Sequence, residues 1–215
     1  MGTSSCFDPD CVRCPRLAAF LAELKTSHPD YWNAPVAAFG DPDSRLLIVG
    51  LAPGKHGANA SGRPFTGDFA GILLYQTLYD LALATLPRST SADDGLKLLG
   101  CRITNAVKCL PPQNKPTTLE VQTCNRYLAS ELESLPRGGV FLALGGIAHR
   151  AVIRALRLKQ SRYGFGHGAV HDLEDGRWLV DSYHCSRYNT QTRRLTPAMF
   201  RDAVARAKQL AFSVT

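Results

Sequence analysis

The chain reads as an α/β protein: a single domain on a central, mainly four-stranded parallel sheet with helices on both faces. Three observations predict this. Short apolar runs recur without the alternation of a half-exposed strand, and helical stretches separate them. No repeat, low-complexity run or linker divides the 215 residues, a length that buries a full core of its own.

The elements follow in order. Leu46-Leu47-Ile48-Val49 is the first strand, and Ile72 to Leu83 is a helical stretch apolar nearly all round. The second strand is Arg102-Ile103-Thr104-Asn105, with Cys101 at its start as a small core residue. Lys115-Pro116-Thr117-Thr118-Leu119-Glu120 opens a helix, with Thr117 and Glu120 spaced as a capping box. Val121, Cys124, Leu128, Leu132 and Leu135 form its apolar stripe. Val140 to Leu144 is the third strand, followed by a helix from His149 to Leu156, and Trp178-Leu179-Val180-Asp181 is the fourth. Thr196-Pro197 opens the last helix, with Phe200, Ala203, Val204 and Ala207 on one face. In such sheets the ligand sits beyond the carboxyl ends of the strands, which singles out three loops.

The first loop runs from Gly50 through Leu51, Ala52, Pro53, Gly54, Lys55 and His56 to Phe65, Thr66, Gly67, Asp68 and Gly71. Its glycines let backbone approach a ligand closely, with Phe65 an aromatic held among them. It is no nucleotide phosphate loop, because no G-K-[ST] opens the helix; an ordinary glycine-rich surface loop is the plainer alternative. The second, Asn105-Ala106-Val107-Lys108-Cys109, sets an amide at a strand end, able to donate and accept against a base edge or to serve as a routine turn residue. The third, Ser182-Tyr183-His184-Cys185-Ser186-Arg187-Tyr188-Asn189-Thr190-Gln191-Thr192, carries a histidine followed by polar residues. A lone histidine there is usually structural; three unusual loops at one sheet edge favour function.

Cys11-x-x-Cys14 and the distant Cys109 and Cys124 make two pairs among seven cysteines. The odd count, and the opening Met1-Gly2-Thr3-Ser4-Ser5-Cys6 without an apolar leader, predict a reducing cytoplasm and ligands rather than bridges. Four thiolates suit a tetrahedral zinc or an iron–sulfur cluster. Cys6, Cys101 and Cys185 are left over. No run of some 18 apolar residues predicts a membrane span. The net charge of +7, with Arg187, Arg193, Arg194, Arg201 and Arg206 gathered late, is compatible with a polyanionic partner.

In motif and in order, the glycine-rich loop, Asn105 with Cys109 and Cys124, and the His184 loop resemble the uracil-DNA glycosylase superfamily. The iron–sulfur branches fit best. Leu51-Ala52, where family four has an acidic residue, together with Thr66-Gly67-Asp68 and Asn189-Thr190-Gln191-Thr192, is similar to family five, the type B enzymes. One departure is His184-Cys185-Ser186, where the family usually has His-Pro-Ser. The resemblance implies one glycosylase-like domain over residues 1–215, with residues 1–40 tied down through a structural 4Fe-4S cluster on Cys11, Cys14, Cys109 and Cys124. It also implies a monomer in a bacterial or archaeal cytoplasm, near the nucleoid. Its substrate would be uracil, and other deaminated bases such as hypoxanthine, in single- and double-stranded DNA.

On that resemblance Phe65 stacks under the flipped base, Asn105 reads its edge, and Gly50, Leu51 and Ala52 line the pocket. His184 donates to the departing base. Asp68 is the nearest carboxylate for activating water, with helix capping as its plainer job; Asn59 or His56 could position the water instead. Arg187 and Tyr188 form a wedge, and Arg193 and Arg194 hold phosphates. Two other readings remain open: an iron–sulfur redox or sensor protein that contacts DNA, and a silent binder of damaged DNA.

Overall fold

The structure, a computed structural model, describes residues 7–213; the leftover Cys6 lies outside them. Its centre is a sheet of six strands: β1 (Phe39–Gly40), β2 (Leu46–Gly50), β3 (Cys101–Asn105), β4 (Val140–Leu144), β5 (Val170–Asp172) and β6 (Trp178–Ser182), in the order β1-β3-β2-β4-β6-β5. The four inner strands are parallel and correspond to the four apolar runs. Leu46–Gly50 and Val140–Leu144 are buried at every position, which removes any alternation.

The expected four strands therefore gain two antiparallel edges. These are two and three residues long and only half buried along most of their length, too short to carry a hydrophobic pattern. Short edge strands leave little unpaired backbone for another chain to join.

The helices are α1 (Pro15–Ser27), α2 (Ala58–Ser61), α3 (Phe69–Asp80), α4 (Thr118–Glu133), α5 (Gly146–Ala155), α6 (Arg187–Gln191) and α7 (Pro197–Phe212). One sheet face packs against α3 and α7 through Leu74, Leu78, Phe200 and Val204. The other packs against α4 and α5 through Leu128, Leu132, Val152 and Ile153. A third apolar group joins Leu17, Leu21 and Leu24 of α1 to Val107, Cys109, Cys124 and Tyr127.

The helix expected from Ile72 to Leu83 begins at Phe69, because Asp68 caps it by accepting from Gly71 N, and it stops at Asp80. Ala82 just beyond takes φ +53°, outside the right-handed region. The helix's apolar surface is not all buried, with Ile72 58% exposed and Tyr79 46%. The capping box forms in full between Thr117 and Glu120. Glu120 also takes a two-pronged ion pair from Arg16, at 2.8 Å to Oε1 and 2.7 Å to Oε2, fastening α1 to the start of α4. Among the described residues no helix is long and apolar enough to cross a membrane.

Candidate active site

The three loops meet at the carboxyl ends of β2, β3 and β6. Together they line a cavity of about 400 Å³ that includes Leu51, Ala52, Phe65, Asp68, Asn105, Asn114, His184 and Arg187. Gly50 lets its walls close up: a Cβ there would come within 2.4 Å of Asn105 Oδ1 and 2.6 Å of the Phe65 ring. Beyond the strands the pairing continues, as Ala106 N donates to Gly50 O and Val107 N to Leu51 O, both at 3.0 Å.

Phe65 is held with φ +56°, a left-handed conformation that a bulky residue adopts only when its surroundings impose it. Several contacts do so. Tyr75 Oη donates to Pro64 O at 2.8 Å, and the Thr66 and Ser89 hydroxyls bond at 2.7 Å. Gly71 packs so tightly beneath that an added Cβ would fall 1.7 Å from Phe65 O. The ring is thus preorganised on one wall.

Asn105 is 2% exposed, and its Oδ1 is buried with no hydrogen-bond partner in the protein. A buried acceptor left unpaired costs roughly 1–3 kcal/mol, so a ligand donor arriving there is favoured. His184 stacks along Phe65, with centroids 6.0 Å apart and planes at 27°. Burial pushes its imidazole down to about 4, so it is neutral at physiological pH. Asn189 Nδ2 donates to His184 O at 2.8 Å, and Ser186 caps α6. Cys185, where the resembled family has proline, is fully buried in the core. Side-chain packing and these hydrogen bonds thus hold the turn that a proline ring would stiffen.

Asp68 caps α3 and also reaches the cavity. Its Oδ1 accepts from Gly71 N at 2.7 Å, and its side chain still lines the cavity. Burial raises its carboxyl above the ordinary value, partly offset by backbone N–H groups of Gly71 and Ala70. Asn59 and His56, the alternatives for positioning water, lie outside the lining of this cavity. Asn59 is fully buried behind the loop, donating to Asn33 Oδ1 at 2.8 Å. His56 Nδ1 meets Tyr31 Oη at 2.9 Å.

At the rim Arg187 lies over the Phe69 ring at 5.0 Å and Tyr188 is 70% exposed. Arg194 sits over Tyr183 at 4.6 Å, and Arg193 is exposed at φ +56°; neither lines the cavity. Sequence reasoning missed Asn114, which joins the wall from a turn where Gln113 and Asn114 both take φ +56°. The Pro111-Pro112-Gln113-Asn114 run was the available signal for that turn.

Cys11, Cys14, Cys109 and Cys124 converge on a second, small apolar cavity. Burial and then the neighbouring sulfurs push the Cys109 thiol up to about 12; burial likewise raises Cys124 to about 11. Thiols in such a place ionise only against a bound positive centre. Lys108 N donates to Cys124 Sγ at 3.2 Å. Among the described residues, the one trio of potential ligands drawn within 4.8 Å is His149, His171 and Asp181. That trio is a hydrogen-bonded network, with His149 Nδ1 at 2.8 Å from Asp181 Oδ1 and His171 Nε2 at 3.1 Å from Oδ2. Ala52, which lines the larger cavity, also packs against the apolar group that contains Cys109 and Cys124.

Residues 37–208 match the family model described as the uracil DNA glycosylase superfamily. The chain is 47% identical over 206 residues to a type-5 uracil-DNA glycosylase of Thermus thermophilus, covering 94% of each. It is 40% identical over 202 residues to one of Pyrobaculum aerophilum, covering 92% of this chain and 88% of that one. A type-4 uracil-DNA glycosylase of Archaeoglobus fulgidus is 33% identical over 155 residues, 69% of each chain.

Proposed function

The chain belongs to the uracil DNA glycosylase superfamily, and from that premise we propose that it flips uracil out of DNA and hydrolyses the N-glycosidic bond, leaving an abasic site. The observation that carries this reading is the unpartnered, buried Oδ1 of Asn105, a residue that lines the cavity together with Phe65 and His184. Uracil offers that oxygen its N3–H and offers the Asn105 amide N–H its O4. Hypoxanthine has the same donor and acceptor on its N1–H and O6, so the proposal extends to it. Cytosine presents the opposite pattern.

As the bond between C1′ and N1 breaks, its electron pair leaves with the base, and negative charge reaches the base oxygens. A donor preset at such an oxygen stabilises the transition state far more than the ground state. Neutral His184 is our candidate for that donor. Asp68, with Oδ1 engaged by Gly71, has Oδ2 to receive a proton from the water that attacks C1′. Exposed Tyr188 suits the wedge that fills the stack, and Arg193 and Arg194 suit phosphates.

The four cysteines fit a 4Fe-4S cluster: four thiols around one apolar cavity, with a backbone N–H directed at one sulfur. A single tetrahedral zinc, with Zn–S of about 2.3 Å, would draw its sulfurs to about 3.8 Å from one another, closer than any three of these lie. Such a cluster supplies cohesion, tying the segment before residue 40 to the Asn105 loop; hydrolysis needs no electron transfer. We take the whole chain to act as one unit and as a monomer.

The test is release of free uracil from single- and double-stranded oligonucleotides. The glycosylase reading expects release from both, with Tyr188→Ala impaired chiefly on duplexes; binding without release would leave the silent binder, and equal loss on both substrates would remove the wedge. A pH profile is a second check. His184 is neutral down to about pH 4, and burial raises the Asp68 carboxyl above its ordinary value. His184 is therefore expected to add no limb to the single-turnover rate at 6.5, the ordinary histidine value, a comparison read as the difference between wild type and His184→Ala. A limb centred near 6.5 that is present in wild type and lost in His184→Ala would contradict a neutral His184.

A further inference from the structure

Beside the cavity runs a second groove of about 390 Å³, lined by Arg88, Ser89 and Thr90 on one side and by Gly67, Gly71 and Ile72 on the other. It shares Asp68, Phe69 and Arg187 with the cavity, so the two form one trough. Arg88 is exposed and has no hydrogen-bond or ion-pair partner among the described residues. A lone guanidinium on a mobile loop would mean little, but this loop is fastened. Arg63, 5% exposed, donates to Ser89 Oγ at 2.9 Å, to Asp94 Oδ1 at 2.8 Å and to Ala92 O. Against the cost of burial, Arg63 and the backbone donors of Leu96 and Thr90 hold the Asp94 carboxyl down at about 2. Thr90 N donates to the other Asp94 oxygen at 2.8 Å, and Ser89 meets Thr66 beside Phe65. The same anchor that sets Phe65 therefore also sets Arg88.

We propose that this groove is a subsite for the damaged strand itself, in which Arg88 binds the phosphate of a nucleotide next to the flipped one and exposed Ile72 underlies its sugar. The inference rests on the glycosylase reading and adds a residue and a position to it. Charge complementarity favours this occupant: two guanidiniums border the groove, and the one carboxylate on it, Asp68, is held inward as the helix cap. A strand leaving the cavity must pass one of its edges, and this edge is grooved and basic.

The test is a scan on single-stranded, uracil-containing oligonucleotides in which each phosphate near the uracil is replaced in turn by an uncharged methylphosphonate. Wild type, Arg88→Ala and Arg154→Ala are compared; Arg154 is an exposed arginine in a different groove. Arg88→Ala is expected to lower kcat/KM about tenfold, the size of one charge-assisted hydrogen bond, and to flatten the salt slope by about 0.7. One methylphosphonate should cost wild type a similar factor and cost Arg88→Ala nothing further, while the other positions stay additive. Unchanged kcat/KM in Arg88→Ala would overturn the subsite. So would losses additive at every position, as expected of Arg154→Ala, which would reduce Arg88 to general positive charge. Failure of wild type to release uracil from the unmodified strand would instead overturn the glycosylase reading.

Discussion

Replacing His184 by alanine is expected to lower the single-turnover rate of uracil release by about 10²–10³, the usual cost of removing one preset donor at a developing oxyanion. DNA affinity should barely change. The imidazole is neutral, so it holds no phosphate, and the arginines around it remain. The size of the effect follows from how the ring is held: stacked along Phe65 at 6.0 Å, with its carbonyl tied to Asn189 and the next side chain buried in the core. Such a donor does not reorganise as the bond breaks. A water entering the space of the lost ring would recover part of the rate, which is why the expected loss has an upper bound. A His184→Ala enzyme with normal single-turnover kinetics would remove the residue from the mechanism.

The second large effect lies away from the chemistry. Cys109→Ala should abolish iron binding and the broad absorbance near roughly 400 nm of thiolate-bound iron–sulfur centres. It should also lower stability by about 3–5 kcal/mol, or about 10 °C in Tm for a chain of this size. The amino-terminal segment is held by α1 packing on Val107, Cys109 and Tyr127 and by the Arg16–Glu120 pair. Arg16 is 42% exposed at its side chain, so that pair alone is a weak tie. Because Ala52 of the larger cavity packs against the apolar group that contains Cys109 and Cys124, KM for uracil-containing strands should rise as well. Stoichiometric zinc without iron after anaerobic preparation would contradict the cluster. Intact metal binding in Cys109→Ala would contradict the ligand set.

The inner sheet was legible because strands buried on both faces spell continuous apolar runs, and α4 because its cap and stripe are both local. The edge strands were not legible, since Phe39–Gly40 and Val170–Asp172 owe their pairing to neighbours distant in sequence. Helix α1 was overlooked although Leu17, Leu21 and Leu24 sit at helical spacing behind Pro15. Among the site residues, Phe65, Asp68, Asn105 and His184 were legible through the rule for strand ends, and the structure brings them to one cavity. Asn59 lies in the same loop, yet the turn through α2 buries it against Asn33, and no local pattern distinguishes an inward from an outward asparagine. Arg88 was invisible for the opposite reason: its position depends on Arg63 pairing with Asp94, which are 31 residues apart.

The most direct measurement is the initial rate of base release from otherwise identical strands carrying uracil, hypoxanthine or cytosine, for wild type and Asn105→Asp under single-turnover conditions. The account expects wild type to release uracil, hypoxanthine more slowly, and cytosine not at all. In Asn105→Asp the carboxylate lacks the N–H that meets O4 or O6 and repels that oxygen, so release of uracil and hypoxanthine should fall while cytosine, which presents an amino donor there, gains relative to them. An unchanged preference among the three bases in Asn105→Asp would contradict the claim that this cavity reads a flipped base through Asn105.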